Sequence, residues 1–206
     1  MNMGQIQRGS FFGNWLYDIC FQNLDIKTVV EIGTWHGFGS TECIIKGLED
    51  SHKTNVSFLS LEINKEMYES ACNGWKDKLP SWAKLIHGRI VEILEMETPE
   101  NITSDEIKWF ESDKISMLSC PNVIEQIPKE IDFLFLDGGG FTTRKEFEIL
   151  KDRSKIISLD DTGDLKCNKI RSYVISNPDQ YEILLDMPNH RGGVMAFLNK
   201  KIIHKK

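Results

Sequence analysis

Short apolar runs alternate with segments of helical spacing along most of the chain, and this alternation limits the possible folds more than any other feature. The apolar runs, which we interpret as β-strands, cover Thr28–Ile32, Val56–Glu62, Ala83–His87, Ile131–Asp137, Lys155–Asp160, Tyr181–Asp186 and Val194–Asn199. The helical segments between the first five are Phe38–Gly47, Lys65–Lys76, the stretch 90–127 and Thr142–Lys151. This order predicts βαβ units and a parallel sheet covered by helices on both faces, a doubly wound α/β fold.

The last two predicted strands are connected differently. Only the segment MPNHRGG separates them, which is too short for a crossover helix. We therefore predict that they pair antiparallel. No internal repeat or linker interrupts the chain, so we expect one domain over residues 1–206, with residues 1–27 as a helical lead-in.

The connection 98–128 is unusually long for two neighbouring strands of a compact domain. Ser104, followed by DEIKWFE, is typical of a capped helix start with acidic residues in the first turn. Two interpretations stay open: a lid or substrate cap, or an extra helix packed on the edge of the sheet.

The net charge disfavours a nucleic-acid partner, and the cysteine pattern favours a reducing compartment. The net charge of −6 disfavours a nucleic-acid partner, because binding many phosphates requires a basic face. The five cysteines are scattered and form no metal or disulfide pattern, which favours a reducing, cytoplasmic location. The absence of a long apolar run predicts no membrane association, and the oligomeric state is left open.

The stretch TVVEIGTWHGFGSTECIIKGL, residues 28–48, ends a strand in a glycine-spaced turn and continues as a helix. Glycines allow close backbone approach, and the free N–H groups at a helix start bind anionic groups. A dinucleotide-binding fingerprint requires glycine at position 35, where this chain has Trp35, so the pattern disfavours NAD binding.

Glu62 ends the second strand, where a carboxylate can accept both hydroxyls of a ribose. The third strand ends near Gly88, so that tip should lie beside the base.

These motifs resemble those of class I S-adenosyl-L-methionine-dependent methyltransferases over nearly the whole chain. VVEIGTWHGFGS is similar to the motif that holds the methionine end of the cofactor, HGRI to the adenine-contacting turn, and IDFLFLDGG to the fourth-strand motif near the methyl group. The resemblance implies a Rossmann-like sheet of seven strands in the order 3-2-1-4-5-7-6, with the last strand antiparallel. It assigns cofactor binding to Glu31, Gly33, Thr34, Trp35, Gly37, Ser40, Glu62, Gly88, Arg89, Ile90 and Asp137.

Within this set, Ser40 and nearby N–H groups are expected to hold the cofactor's carboxylate, and Glu31 to face its amino end through a water. The segment after the fourth strand, LDGGGFTT, lacks the proline-aromatic pattern of many N-methyltransferases. We therefore predict a hydroxyl acceptor.

Three carboxylates are predicted to meet where the fourth and fifth strands end: Asp137, Asp160 and Asp161. The pattern LDG followed by LDD resembles magnesium-dependent O-methyltransferases of the catechol and macrocin (sugar) types, which implies a Mg²⁺ site. In the alternative, Asp137 contacts the cofactor while the other two cap the following helix. Gly140 stands where such enzymes carry His or Lys, so the candidate bases are Asp137, a metal-bound hydroxyl and His190.

The preferred function is methylation of a hydroxyl on a small-molecule sugar or a glycan, for example a deoxyhexose such as rhamnose. A catechol or phenol is the alternative acceptor, for which Trp109, Phe110 and Phe141 are candidates to form an apolar slot. A third hypothesis is a protein that binds the cofactor without turnover.

Overall fold

The computed structural model describes residues 6–98 and 103–203. Its seven strands are β1 Thr28–Ile32, β2 Ser57–Glu62, β3 Ala83–His87, β4 Ile131–Leu136, β5 Ser154–Asp160, β6 Tyr181–Met187 and β7 Val194–Asn199. They form one sheet in the order β3-β2-β1-β4-β5-β7-β6. The first five strands are parallel, and β7 is antiparallel to both β5 and β6. The predicted fold class, strand order and antiparallel last strand are confirmed.

Helices cover both faces of this sheet. They are α1 Phe11–Gln22, α2 Ser40–Asp50, α3 Lys65–Trp75, α4 Ser104–Ser119, α5 Thr143–Leu150, α6 Asn168–Ile175 and the short α7 Lys200–Ile203. Side chains of α1, α2 and α3 share one apolar cluster, while those of α5 and α6 belong to a second cluster on the opposite face. Neighbouring residues of a strand face opposite sides, so Val29 packs in the first cluster and Val30 in the second.

The long connection before β4 contains α4, and its start differs by one residue from the prediction. Thr103, and not Ser104, is the N-cap: its hydroxyl accepts the Glu106 N–H, and the Glu106 carboxylate accepts the Thr103 N–H. This reciprocal pair satisfies two donors at the helix start. Residues 99–102 of the predicted lid segment lie outside the described residues.

None of the helices in the described ranges combines the length and apolar character needed to cross a membrane.

Candidate functional site

A cavity of about 1290 Å³ opens where the parallel strands end. It exceeds the ~300–1,000 Å³ typical of sites for one drug-sized ligand, so it has room for two molecules. Of the predicted site residues, those lining it are Gly33, Thr34, Trp35, Gly37, Ser40, Glu62, Gly88, Arg89, Ile90, Asp137, Asp160 and Asp161. Two predicted residues, Glu31 and His190, do not line it.

The glycine turn after β1 brings two strand ends into close contact. Gly33 has φ of +102°, and a Cβ added there would lie 2.3 Å from the carbonyl oxygen of Asp137. Its N–H donates to the Leu61 carbonyl at 2.9 Å. A side chain at this position would force the ends of β1 and β4 apart, so glycine is required.

Glu31 lies beneath the turn and is fully buried. Its carboxylate accepts hydrogen bonds from the hydroxyls of Ser40, Thr41 and Ser60 at 2.6–2.7 Å. Burial raises the pKa of Glu31 to about 7, against the lowering effect of these hydroxyls. In this arrangement Glu31 supports the turn and the start of α2 from below, and its contact with a cofactor stays a prediction.

Glu62, at the end of β2, holds the two loops that border the cavity. Its carboxylate accepts the N–H of Trp35 and the N–H of Asn64, each at 2.8 Å. Burial raises the pKa of Glu62, and these N–H groups oppose the shift. Each carboxylate oxygen has two acceptor lone pairs, so Glu62 retains capacity to accept from a ligand hydroxyl.

The tip of β3 borders the same cavity, and the charge of Arg89 at this tip is paired within the protein. The Arg89 guanidinium donates to the carbonyl oxygens of Val91 and Cys120 and pairs with Glu92 at 2.8 Å. The positive charge of Arg89 is thus paired with groups of the protein itself. The Arg89 side chain fixes the loop, and Gly88, Arg89 and Ile90 all line the cavity.

The three predicted carboxylates do lie together. One oxygen each from Asp137, Asp160 and Asp161 falls within 4.8 Å of the others. The Lys166 ammonium contacts Asp137 at 2.6 Å and Asp161 at 2.7 Å. Arg191 contacts Asp160 at 2.9 Å. Neither basic residue was predicted from the sequence, although Lys166 stands in LDDTGDLK and Arg191 follows His190 directly.

Burial and charge act in opposite directions within this cluster. Burial raises the pKa of Asp160 to about 7, and the charges of Asp137 and Asp161 add to the shift. Burial alone would lower the pKa of Lys166, but the charges of Asp137 and Asp161 outweigh it and keep that pKa above its ordinary value. Lys166 is therefore a protonated, paired ammonium.

Two loops fix this cluster. The N–H groups of Thr162 and Gly163 donate to the carbonyls of Gly193 and Gly192, joining the loop after β5 to the β6–β7 hairpin. Asp161 has φ of +56°, which is unfavourable for a residue with a side chain. The turn orients the Asp161 carboxylate toward Lys166.

His190 does not face the cavity, contrary to its predicted active-site role. Its ring packs edge-on against Phe11 of α1, with 5.4 Å between ring centroids. Its Nε2 atom is buried and has no hydrogen-bond partner among the described residues. The next residue, Arg191, has φ of +57° and lines the cavity instead. The backbone turn at Arg191 therefore decides which side chain enters the site.

Helix α4 contributes a wall of the cavity through Trp109 and Asp113, among others. A Cβ added to Gly139 would lie 2.7 Å from the Asp113 carboxylate, so the helix approaches the β4–α5 turn closely. Burial raises the pKa of Asp113 to about 6. Of the aromatic residues predicted for an apolar slot, Trp109 and Phe141 line the cavity, whereas Phe110 packs edge-on against Phe141.

Solved structures share this fold at low sequence identity. The SAH-bound methyltransferase PaMTH1 of Podospora anserina superposes with a TM-score of 0.62 at 16% identity, over 92% of this chain and 78% of that one. An O-methyltransferase from Bacillus cereus in complex with SAH gives 0.60 at 16%, over 96% and 85%. TomG of Streptomyces achromogenes, an O-methyltransferase involved in tomaymycin synthesis and solved with SAM, gives 0.57 at 14%, over 91% and 79%.

No protein-family model and no curated protein matches the chain. The structural likenesses establish that the chain has the Rossmann-like fold of these methyltransferases.

Proposed function

We propose that the protein is an S-adenosyl-L-methionine-dependent O-methyltransferase that acts on a hydroxyl of a sugar or glycan. The observation that carries the proposal is one continuous cavity, which joins the glycine turn and Glu62 to a carboxylate-lined region where β4 and β5 end. The fold shared with SAH- and SAM-bound structures supports the same cofactor here.

We assign the parts of the cofactor to the polar groups along the cavity. Its ribose hydroxyls meet Glu62, and its adenine lies beside Gly88 and Ile90. The N–H groups at the start of α2 receive the methionine carboxylate, as helix N-termini receive anions. The Ser40 hydroxyl already donates to Glu31, so the backbone supplies these contacts in preference to that side chain.

Methyl transfer requires alignment more than covalent chemistry. A lone pair of the acceptor oxygen forms a bond to the methyl carbon while the bond from that carbon to sulfur breaks, and its electron pair returns to sulfur. The hydroxyl proton moves to a carboxylate. Asp137 fits this role, because its side chain is about a quarter exposed, at 24%, and lies on the cavity wall.

The charge of the cavity favours a neutral acceptor with several hydroxyls. Among the described lining residues, carboxylates outnumber basic side chains. Carboxylates accept hydrogen bonds from hydroxyls and repel anionic acceptors. Trp109, which is 63% exposed, offers an aromatic surface against which a sugar ring can pack.

A phenol or catechol is the second candidate acceptor. Trp109 and Phe141 both line the cavity and would flank an aromatic ring. This hypothesis shares the cofactor site and the methyl transfer with the first, and differs only in the acceptor.

Transfer of labelled methyl groups tests the proposal. The protein is incubated with S-adenosylmethionine labelled in its methyl group, together with methyl rhamnoside or catechol as acceptor. We expect label on the glycoside, and its loss in Asp137→Asn. Label on catechol alone would replace the sugar by the phenol alternative. Binding of S-adenosylhomocysteine without transfer to either acceptor would favour a protein that binds the cofactor without turnover.

A further inference from the structure

The acidic cluster at the ends of β4 and β5 already contains positive charge supplied by the chain. Lys166 contacts Asp137 and Asp161, and its side chain is only 11% exposed. Arg191 contacts Asp160, whose side chain is 4% exposed. Every carboxylate of the cluster therefore has a basic partner.

These contacts fit a resident divalent ion poorly. Magnesium binds carboxylate oxygens at ~2.0–2.1 Å in near-octahedral geometry. The Lys166 ammonium lies within hydrogen-bond distance of two of the three carboxylates such an ion would use, at 2.6 and 2.7 Å. An ion at the same oxygens would be repelled by this buried ammonium. Within the described ranges, Asp160 Oδ1 is without a hydrogen-bond partner, and this one atom offers too few ligands for an ion.

The fold holds Lys166 in this position through local hydrogen bonds. The N–H of Asp164 donates to the Asp161 carbonyl, and the N–H of Cys167 donates to the Asp164 carbonyl, which forms a compact turn before α6. Lys166 projects from this turn into the cavity wall. Its place is thus defined by backbone geometry as well as by charge.

We propose that Lys166 takes the place of a divalent cation at the cluster of Asp137, Asp160 and Asp161, so that this site works without a metal. The inference rests on the proposed function for its chemical consequence. An ammonium has three donors, two of which meet carboxylates here. The third donates to the acceptor oxygen, and Asp137 takes the hydroxyl proton during transfer.

Metal binding to matched variants tests the inference without an activity assay. Mn²⁺ is titrated into the wild type, Lys166→Met and Lys169→Met, and followed by calorimetry and by the signal of free Mn²⁺ in electron paramagnetic resonance. We expect no binding to the wild type at millimolar Mn²⁺, and at least 10-fold tighter binding to Lys166→Met. Lys169, an exposed lysine of α6 that pairs with Glu97, is the control and should behave as the wild type.

A second substitution locates the gained site. Adding Asp160→Asn to Lys166→Met should abolish the Mn²⁺ binding. Stoichiometric binding of Mn²⁺ to the wild type that is lost in Asp160→Asn would overturn the inference. The inference would also be overturned if Lys166→Met and Lys166→Gln both fold but bind no Mn²⁺. In that case removal of the ammonium would not create a metal site, and Lys166 could not be a replacement for an ion.

Turnover provides a separate readout. Methyl transfer by the wild type should be unchanged in EDTA, and loss of transfer there would also overturn the inference. Lys166→Met should lower kcat by about 100-fold or more, as removal of a donor to a reacting oxygen does. Binding of S-adenosylhomocysteine is measured on the same samples, so that failure of the cofactor assignment is distinguished from failure of the metal inference.

Discussion

Two buried glutamates serve the glycine turn through different donors. Glu31 is surrounded by three hydroxyls and lies outside the cavity, whereas Glu62 accepts backbone N–H groups and lies on its wall. The first carboxylate organises the turn, and the second is available to a ligand. Substitutions of the two residues should therefore have separable effects.

Glu62→Ala should weaken binding of S-adenosylhomocysteine by about 10-fold or more, because hydrogen bonds to a charged group contribute ~1.5–3 kcal/mol. Calorimetric titration measures the change. Glu69→Ala, at an exposed position of α3, is the control and should bind as the wild type. Unchanged affinity in Glu62→Ala would remove the ribose assignment.

Glu31→Gln should flatten the dependence of stability on pH. The folded pKa of about 7 lies above the unfolded value of 4.5, so the native state holds the proton more tightly. This stabilisation is fully present below pH ~4.5 and is lost as the pH rises through ~7. The difference corresponds to about 3 kcal/mol. Asp137 is the acidic neighbour that adds to the shift.

Urea unfolding at several pH values checks this expectation, with Glu69→Gln as the exposed control. The stability of both proteins also depends on pH through Glu146 and Asp160, whose pKa values burial raises to about 7. The contribution of Glu31 is therefore the difference in pH slope between the wild type and Glu31→Gln. An equal pH slope in both proteins would contradict a raised pKa at Glu31.

At the scale of elements, the close approach of β1 and β4 depends on Gly33. Gly33→Ala should destabilise the protein by about 2 kcal/mol or more. The positive φ at position 33 is unfavourable for alanine, and the alanine Cβ would clash with the Asp137 carbonyl. Gly140→Ala is the matched control: a Cβ there meets nothing within 4 Å. It should change stability by less than ~0.5 kcal/mol. Equal destabilisation in the two variants, measured by urea unfolding, would contradict this account of the turn.

The elements themselves were largely predictable from the sequence. The central strands are buried on both faces, so their sequences are continuous apolar runs. The bounds of β1 and β7, and also of the edge strand β3, are as predicted. Helix ends were less predictable: α2 begins at Ser40 and not at Phe38, because the glycine turn extends further along the chain. At α4, both Thr103 and Ser104 are good caps, and only the bond to Glu106 distinguishes them.

At the scale of the whole molecule, the site could be predicted only in part. Residues at strand ends were identified because parallel topology places those ends together. Lys166 was missed because its contact with Asp137 joins residues 29 positions apart through an irregular loop. His190 was predicted because its loop follows the sixth strand, and Arg191 of the same loop lines the cavity instead. Side-chain direction in this hairpin is set by backbone turns that the sequence does not reveal.

The features described above lie around a single cavity. The strand ends, the glycine turn and α4 enclose one cavity with room for a cofactor and an acceptor together. We propose above all that S-adenosylmethionine binds at the end of this cavity that contains the glycine turn.

Calorimetric titration with S-adenosylhomocysteine measures this binding. We expect one site per chain with micromolar affinity, weakened in Glu62→Ala and unchanged by EDTA. Absence of binding by the folded wild type would rule out the cofactor assignment and leave the cavity to a different ligand.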